Sequence, residues 1–551
     1  MAATIVTLSG ALSVKAHCLP FSQIPHTTRL FLDLLAYSPQ IQPFYPRSPF
    51  FSEWMKKEAA EISYDPERRA GVAAILERQN KSWDHSDKAL ANIDHLRKGA
   101  SVVVTGQQVG LFGGPAFAIY KALTAVKLAE EATTAGIDTV PVFWLATYDH
   151  DLAEVNHVSI SAQDGTVQTL TTPSQSIPGA PVSAVNFGNE INSVVDQAVA
   201  LLGDSEAAQW IRDTYKPGEN LGTAFAKLYA RIFAEWGVII MDPSDPDFAR
   251  VAQPIYQAAI ERAPELAAAL LDRGTNLERA GYHQQVKVTE SSVLLFTTRD
   301  GVRTPISRHE TEFVIDGESR AEKLSQAELL DEIKTYPERF SPNVLLRPVV
   351  EDYLLPTIAY TGGAAEAAYF AQSGVVYEQL LGRVTPIVPR FSATLIEPKM
   401  QRLLEKHGLS LTDVFDGPEA LRNEIAARHL PSDLQAAFDH ARQSFDANFS
   451  AVKGKLEKLD KTLVDAAETA RSKMQHQLEK LYSQAARAEA QKGELVSRHA
   501  EMISHSLYPH KGLQERGIGG ISFLARYGSD LLHQLYQTIQ SDCHDHRIVE
   551  L

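Results

Sequence analysis

The chain has 551 residues, 44% hydrophobic and 22% charged, an ordinary composition for a soluble protein of about three or four domains. Its formal net charge of −15 disfavours nonspecific nucleic-acid binding, because phosphate contacts need a basic surface. Only Cys18 and Cys543 occur, near opposite ends, which argues against a disulfide framework and fits a reducing cytoplasm, and no run of about 18 apolar residues suggests a membrane span.

Residues 1–17 lack the basic start of a signal peptide and read as a lead-in. From about residue 20 to 100 the pattern is helical with polar breaks, and Pro39–Phe51 is a loop packed onto something. Ser101–Thr105 is a short β-branched run. The turn TGQQVGLFGGP follows, then a helix over Ala116–Ala132 with Pro115 at its entry and Gly136 beyond its end. Val140–Thr147 is almost continuously apolar, as a parallel strand buried on both faces reads. Strand, helix and strand make a βαβ unit. Trp236–Met241, Val344–Val350 and Val384–Phe391 read as further strands, so an open α/β sheet is expected. Residues 158–215 and 270–335, the latter with a hairpin-like strand at Ser292–Thr297, interrupt the alternation as insertions. The core is thereby divided into 18–157, 216–269 and 336–430.

Between Pro431 and Pro509 there is no proline. Phe449, Val452, Leu456, Leu459, Leu463, Ala466 and Ala470 alternate steps of three and four, a heptad seam. The rhythm slips at Met474 and Leu478 and resumes at Leu481. A continuous helix over this part of 431–506 would be a rod roughly 90 Å long. Its seam must pair with another helix, in the same chain or a second subunit. Residues 507–551 return to a compact stretch.

Three clusters could carry chemistry. Gly106, Gln107, Gln108, Gly110, Gly113 and Gly114 join a strand to a helix start, where free N–H groups attract anions, and Lys121 follows on the helix. The spacing is neither a P-loop nor a dinucleotide fingerprint, and a close-packed turn is the plain alternative. Asp149, His150 and Asp151 follow the buried strand, where α/β sheets bind ligands. They could act as acid or base or bind Mg²⁺, or merely cap a strand end. Asn343, Arg347, Tyr360, Gly362, Gly363 and Arg390 form the third cluster. An arginine in an apolar run needs a partner, and Glu351 or Asp352 could supply it. Cys543-His544-Asp545-His546 lacks partners at zinc spacing, so no metal centre is assigned.

The string TGQQVGLFGGPAFAIYKALTAVKLAEEA from Thr105, with VPVFWLATYDHDLAEVNH from Val140, resembles the BshC family, the cysteine-adding enzymes of bacillithiol biosynthesis. CLPFSQIPHTTRLF from Cys18, GYHQQVKV from Gly281, SPNVLLRPVVEDYLLPTIAYTGGAAEAAYF from Ser341, TPIVPRFSATLIEP from Thr385 and LYPHKGLQER from Leu507 agree in order. Tyr148, Glu351 and Ala364-Ala365 depart from the family pattern. The resemblance implies a Rossmann-like core with two connecting-peptide insertions and a long α-helical coiled coil that forms a homodimer. It also implies amide-bond formation between L-cysteine and glucosaminyl-malate, and nucleotide binding, for which ATP or ADP is expected; Mg²⁺ enters only as an option for the acidic triplet.

A carboxylate is a poor electrophile, so amide formation needs an acyl-adenylate or acyl-phosphate. On this reading the glycine loop and Lys121 hold negative charge, the Asp-His-Asp triplet handles an amine, and Arg347 and Arg390 grip the malate carboxylates. Two alternatives stay open: a nucleotidyltransferase-like enzyme with another substrate, and a nucleotide-binding coiled-coil scaffold without turnover.

Overall fold

A computed structural model describes residues 4–6, 14–162, 165–172, 177–316, 321–428, 430–490 and 494–551. The chain divides into two compact units, 1–394 with 515–549, and 395–514 with 550–551.

The first unit is built on a parallel sheet. Strand β1 (Ser101–Gln107) leads through helix α1 (Phe117–Thr134) to β2 (Thr139–Leu145), and β3 (Ile239–Met241) follows. Helix α2 (Arg347–Leu354), β4 (Thr357–Gly362), α3 (Ala364–Leu381) and β5 (Ile387–Pro389) complete it. The strand order is β5-β4-β1-β2-β3, and every neighbouring pair is parallel. The chain runs outward from β1 through β2 to β3, then returns to the other side of β1 for β4 and β5. The reversal lies between β1 and β4, the position where open α/β sheets leave a crevice.

The β-branched run explains why β1 is central. Val102, Val103 and Val104 are completely buried. Val102 and Val104 pack with Val140, Val142 and Ile239 on one face. Val103 packs on the other against Ala125, Leu128 and Ala129 of α1. Burying a valine on either face contributes roughly 1.5–3 kcal/mol, so a polar residue at any of the three would break the sheet's centre.

Within residues 270–335 the chain forms an antiparallel meander, Ser292–Arg299, Val302–His309, Glu312–Asp316 and Ala321–Ser325. Phe340–Pro342 pairs on its first strand. Between β2 and β3 lies a hairpin of His157–Ser161 with Val167–Thr171.

The strand expected at Val344–Val350 is not one. Asn343 Oδ1 accepts hydrogen bonds from the Leu345 and Leu346 amides, each at 3.0 Å, and α2 starts at Arg347 with Pro348 in its first turn. A short apolar run fits a buried helix turn as well as a strand, and here the turn that Asn343 closes over Leu345 and Leu346 leads into the helix.

The last stretch of the first unit lies against the glycine-rich loop. The Ala116 amide donates to Ile518 O (2.9 Å), Gly519 N to Ser159 O (2.8 Å) and Gly520 N to Gly114 O (3.3 Å). A Cβ on Gly520 would stand 2.5 Å from Ile119 Cδ1 and 3.2 Å from Ala116 Cα, so the two segments approach closely here. His544 stacks on Phe50, and His546 lies between Ser392 and Thr394, so both histidines serve packing. Cys18 and Cys543, distant in sequence, bring their sulfurs to 3.7 Å without a disulfide.

The second unit holds two 28-residue helices, α4 (Ser432–Leu459) and α5 (Leu463–Ala490). The expected continuous rod breaks at Asp460, whose backbone is extended (φ −160°, ψ 121°) and whose Oδ1 accepts from Thr462 N at 2.8 Å. The helices fold back antiparallel, joined by Arg442–Glu479, Asp446–Arg471 and Lys453–Glu468 ion pairs. Phe438 meets Tyr482 edge-on. Each arm is about 42 Å long. The sequence hid the turn because Leu459 and Leu463 keep a step of four across it. Leu459, Met474, Leu481 and Val452 remain 78%, 56%, 55% and 50% exposed, so the hairpin leaves these members of the predicted seam uncovered.

Candidate active site

A cavity of about 760 Å³ opens beyond the carboxyl ends of the parallel strands. Gln107 and Gln108 reach it from β1, Ala146, Tyr148 and Asp149 from β2, Gly363 from β4 and Arg390 from β5. The inserted meander closes one side with Val293, Phe296 and Arg303. Its volume lies within the range of small-molecule sites.

Lys121 projects from the second turn of α1 and is 3% exposed. Its Nζ donates to Gly106 O (2.7 Å) and Gln107 Oε1 (2.8 Å) and pairs with Glu366 Oε2 at 2.6 Å. Glu366 also accepts from Tyr360 Oη (2.5 Å) and the Gly363 amide (2.8 Å). Burial lowers the Lys121 pKa to about 8 even with Glu366 beside it. Burial pushes the Glu366 carboxyl upward, but Lys121 more than offsets this and holds it below the usual range. The pair is therefore ionised at neutral pH.

Two further arginines on the wall are already engaged by carboxyl side chains. Arg347 bonds Glu351 Oε2 at 2.8 Å and Tyr369 Oη at 2.7 Å, settling its partner as Glu351. Burial raises the Glu351 pKa to about 8, with Arg347 opposing and Asp352 reinforcing the shift. Arg390 bonds Glu515 Oε1 at 2.6 Å and Phe391 O at 2.7 Å. Glu515 also accepts from Ser392 Oγ and the Ala393 amide, both at 2.9 Å.

Two cations differ. Among the described residues neither Arg303 nor Arg516 has a carboxylate within ion-pair distance. Arg303 lies 3.8 Å from the Phe296 ring centre and donates to Ser341 Oγ (3.0 Å) and Pro342 O (2.9 Å). Burial lowers its pKa to about 10. Arg516 is exposed on the cavity wall, yet desolvation and then Arg390 lower its pKa. It faces Phe117 at 5.8 Å, and the same ring is approached by Lys121 at 5.7 Å and Arg390 at 5.1 Å. On the opposite rim Gln108 Nε2 donates to Asp149 Oδ2 (2.6 Å) and Glu154 Oε2 (2.8 Å), leaving two carboxylates side by side. The cavity thus presents unpaired positive charge on two sides and negative charge on a third.

Of the residues nominated from sequence, Gly106, Gln107, Gln108, Lys121, Asp149, Asn343, Arg347, Tyr360, Gly363 and Arg390 line this cavity. Gly110, Gly113 and Gly114 do not. Their amides bond Gln108 O, Gly110 O and Leu111 O, and Tyr215 Oη adds a second contact to Gly113 N. A Cβ on Gly110 would stand 2.8 Å from Gly114 Cα, and Gly114 has φ +68°. This half of the loop is a tight turn against protein. Gly362 lies one residue short of the wall, its carbonyl accepting from Arg390 N at 2.9 Å. His150 stands behind the wall, its Nδ1 3.2 Å from Arg303 Nη1, and Asp151 is exposed outside it. Asn343 reaches the wall while its Oδ1 accepts from the Leu345 and Leu346 amides of the turn before α2.

Sequence reasoning did not nominate Arg303, Glu154, Phe117, Tyr369, Glu515 or Arg516. Arg303 comes from an insertion whose place over the sheet no local pattern foretells. Arg516 and Glu515 lie in LYPHKGLQER, a stretch that carried the resemblance and was passed over as a source of site residues. Among the described residues no three His, Cys, Asp or Glu side chains converge as metal ligands. No described helix is long and apolar enough to cross a membrane.

The parallel sheet, its order reversal and a charged crevice beyond the strand ends define a Rossmann-like α/β protein, to which a helical coiled-coil region is appended. The chain belongs to the BshC family of bacillithiol biosynthesis. The family's N-terminal Rossmann-like domain matches residues 14–391 and its C-terminal coiled-coil domain residues 393–551. A protein of Koribacter versatilis (strain Ellin345) named "Putative cysteine ligase BshC" is 47% identical over 97% of this chain and 99% of its own length. Proteins of the same name from Solibacter usitatus (strain Ellin6076) and Salinibacter ruber (strain DSM 13855 / M31) are 35% and 33% identical, each over 97% of this chain and 99% and 98% of theirs.

Proposed function

We propose that the protein is a cytoplasmic ligase that joins the carboxyl group of L-cysteine to the amine of glucosaminyl-malate, with ATP consumed to activate the carboxylate. The observation that carries this reading is the charge layout of the cavity. Arg303 and Arg516, unpaired, suit the carboxylates of a malate group and the phosphates of a nucleotide. Asp149 and Glu154, held together by Gln108, suit an ammonium group. Arg347 and Arg390, the residues expected from sequence to grip malate, are better understood as wall residues already held by hydrogen bonds to Glu351 and Glu515.

In this scheme the cysteine carboxylate takes a phosphoryl or adenylyl group from ATP, releasing ADP or pyrophosphate. The sugar amine, its proton passed to Asp149, attacks the acyl carbon, and phosphate or AMP leaves. For Lys121 to meet charge developing on the acyl or phosphoryl oxygens it must give up one of its three partners, Gly106 O, Gln107 Oε1 or Glu366 Oε2, in a desolvated setting that strengthens the new interaction. Asp149 and Glu154 fit Mg²⁺ only as companions to nucleotide phosphates, since magnesium sites of this kind take one or two carboxylates.

The test is turnover of purified protein with ATP, L-cysteine and glucosaminyl-malate, followed by thiol labelling of the product. Cysteine-dependent exchange of pyrophosphate into ATP identifies adenylation, and its absence with ADP release identifies phosphorylation. No cysteinyl product under either condition overturns the proposal. A second copy of the chain is proposed to cover Val452, Leu459, Met474 and Leu481. Each helix carries its two residues seven apart and so on one face.

A further inference from the structure

We propose that Cys18 and Cys543 are a modification site, forming a reversible intramolecular disulfide by exchange with a small-molecule disulfide. Their sulfurs are 3.7 Å apart, against about 2.05 Å in a disulfide, a gap that side-chain rotation can span. Cys18 lies in the strand Val14–Leu19, and the neighbouring strand in the same sheet is His546–Glu550, three residues beyond Cys543. Both thiols are free, Cys18 exposed and Cys543 partly so, which lets a reagent reach them.

The surroundings act in opposite directions on the Cys18 thiol, burial raising it and Arg547 lowering it. The Arg547 guanidinium donates to Cys18 Sγ and is steadied by Gln540 Oε1 at 2.6 Å. A cation on the sulfur favours the thiolate, the attacking species. Burial acts the other way and leaves the Cys18 thiol raised, so exchange quickens as pH rises. The Cys18 thiolate attacks one sulfur of the small disulfide and expels one small thiolate. Cys543, deprotonated, then attacks the Cys18 sulfur and expels the second. Two protein thiols lose two protons and two electrons, and the small disulfide is reduced to two thiols.

The bridge fastens the strand Val14–Leu19 to a segment that reaches the cavity wall. His546 Nδ1 lies 2.7 Å from Ser392 Oγ, and that hydroxyl bonds Glu515, the partner of Arg390. The site is independent of the ligase reading, since it rests on the two sulfurs and their sheet alone.

The experiment incubates the full-length native protein with hydroxyethyl disulfide, blocks remaining thiols with iodoacetamide, and reads intact mass and a non-reducing peptide map. The expected wild-type product is two hydrogens lighter than the reduced protein, carries no alkylated cysteine, and yields one cross-linked peptide joining residues 18 and 543. Dithiothreitol restores both thiols. Cys18→Ser and Cys543→Ser each give a single hydroxyethyl adduct or an alkylated thiol and no internal bridge. A wild-type product with stable hydroxyethyl adducts, two untouched thiols or links only between chains overturns the proposal.

Discussion

Lys121 Nζ lies 2.6 Å from Glu366 Oε2 with 4% and 15% of the two side chains exposed, joining α1 to α3 directly above the sheet's reversal point. Removing one partner strands the other charge in a desolvated place. Lys121→Met is expected to cost about 3–5 kcal/mol, read by urea unfolding. Lys121→Met combined with Glu366→Gln is expected to recover most of that stability and none of the turnover. Equal recovery of both would reduce the lysine to a scaffold element. The pH dependence has a definite sign. The folded lysine titrates near 8 rather than 10.5, so the unfolded chain binds more protons between those values. Wild-type stability relative to Lys121→Met therefore rises with pH across that window.

Glu351 shifts the opposite way. Its carboxyl is raised from 4.5 to about 8, so the folded protein holds a proton that the unfolded chain has released. The resulting stabilisation is complete below about pH 4.5 and lost as pH climbs through about 8. Chemical denaturation of wild type and Glu351→Gln should show wild type losing ground to the variant between about pH 5 and pH 8.5. A difference that stays constant across that interval would mean that Glu351 is ionised throughout, paired with Arg347.

The turn at Gly110 should respond as packing. Gly110→Ala pushes a Cβ to 2.8 Å from Gly114 Cα, and overpacking of this kind costs about 1–3 kcal/mol. KM for ATP is expected to be unchanged in the protein that folds. A tenfold rise in KM without loss of stability would restore the loop as a ligand cradle, on the order of the 1.4 kcal/mol that a factor of ten represents.

Arg516 should respond as recognition. A charged hydrogen bond contributes about 1.5–3 kcal/mol, so Arg516→Ala is expected to raise KM for an anionic substrate by on the order of tenfold to a hundredfold. Arg516→Lys should recover part of this, because the charge survives but the planar fork does not. Unfolding midpoints should not move, since Arg516 makes no ion pair among the described residues. A shifted midpoint with normal KM would assign the arginine to structure.

The helical hairpin offers a separate test. If a second copy covers the exposed row, Met474→Glu with Leu481→Glu should shift sedimentation toward the monomer at micromolar concentration. The cavity lies in the other compact unit, and its turnover measured on the monomer shows whether pairing serves activity or only stability.

The sheet was readable because its strands are buried on both faces. Val102–Val104 and Val140–Leu145 leave no polar alternation to confuse the pattern. The glycine-rich stretch was readable only as a turn. Nothing local separates Gly106, whose carbonyl meets Lys121, from Gly110, whose flank meets Gly114, because that difference is made by Tyr215, Tyr229 and the returning segment at Gly519. The apolar run around Arg347 is too short to reveal its period, and the turn closed by Asn343 leads into a helix where a strand was expected. The rod was misjudged at Asp460, where apolar spacing persists through a non-helical turn. Arg303 and Arg516 reach the site from an insertion and from the far end of the chain, and proximity of that kind is written in tertiary contacts alone.

The seam between Gly114–Ala116 and Ile518–Gly520 has a consequence for how the protein is made. The parallel strands leave the ribosome long before Glu515 and Arg516 are translated, so the nascent sheet waits with Arg390 unneutralised and its crevice unfinished. A nonsense mutation shortly before codon 515 should be as damaging as one near the start of the gene.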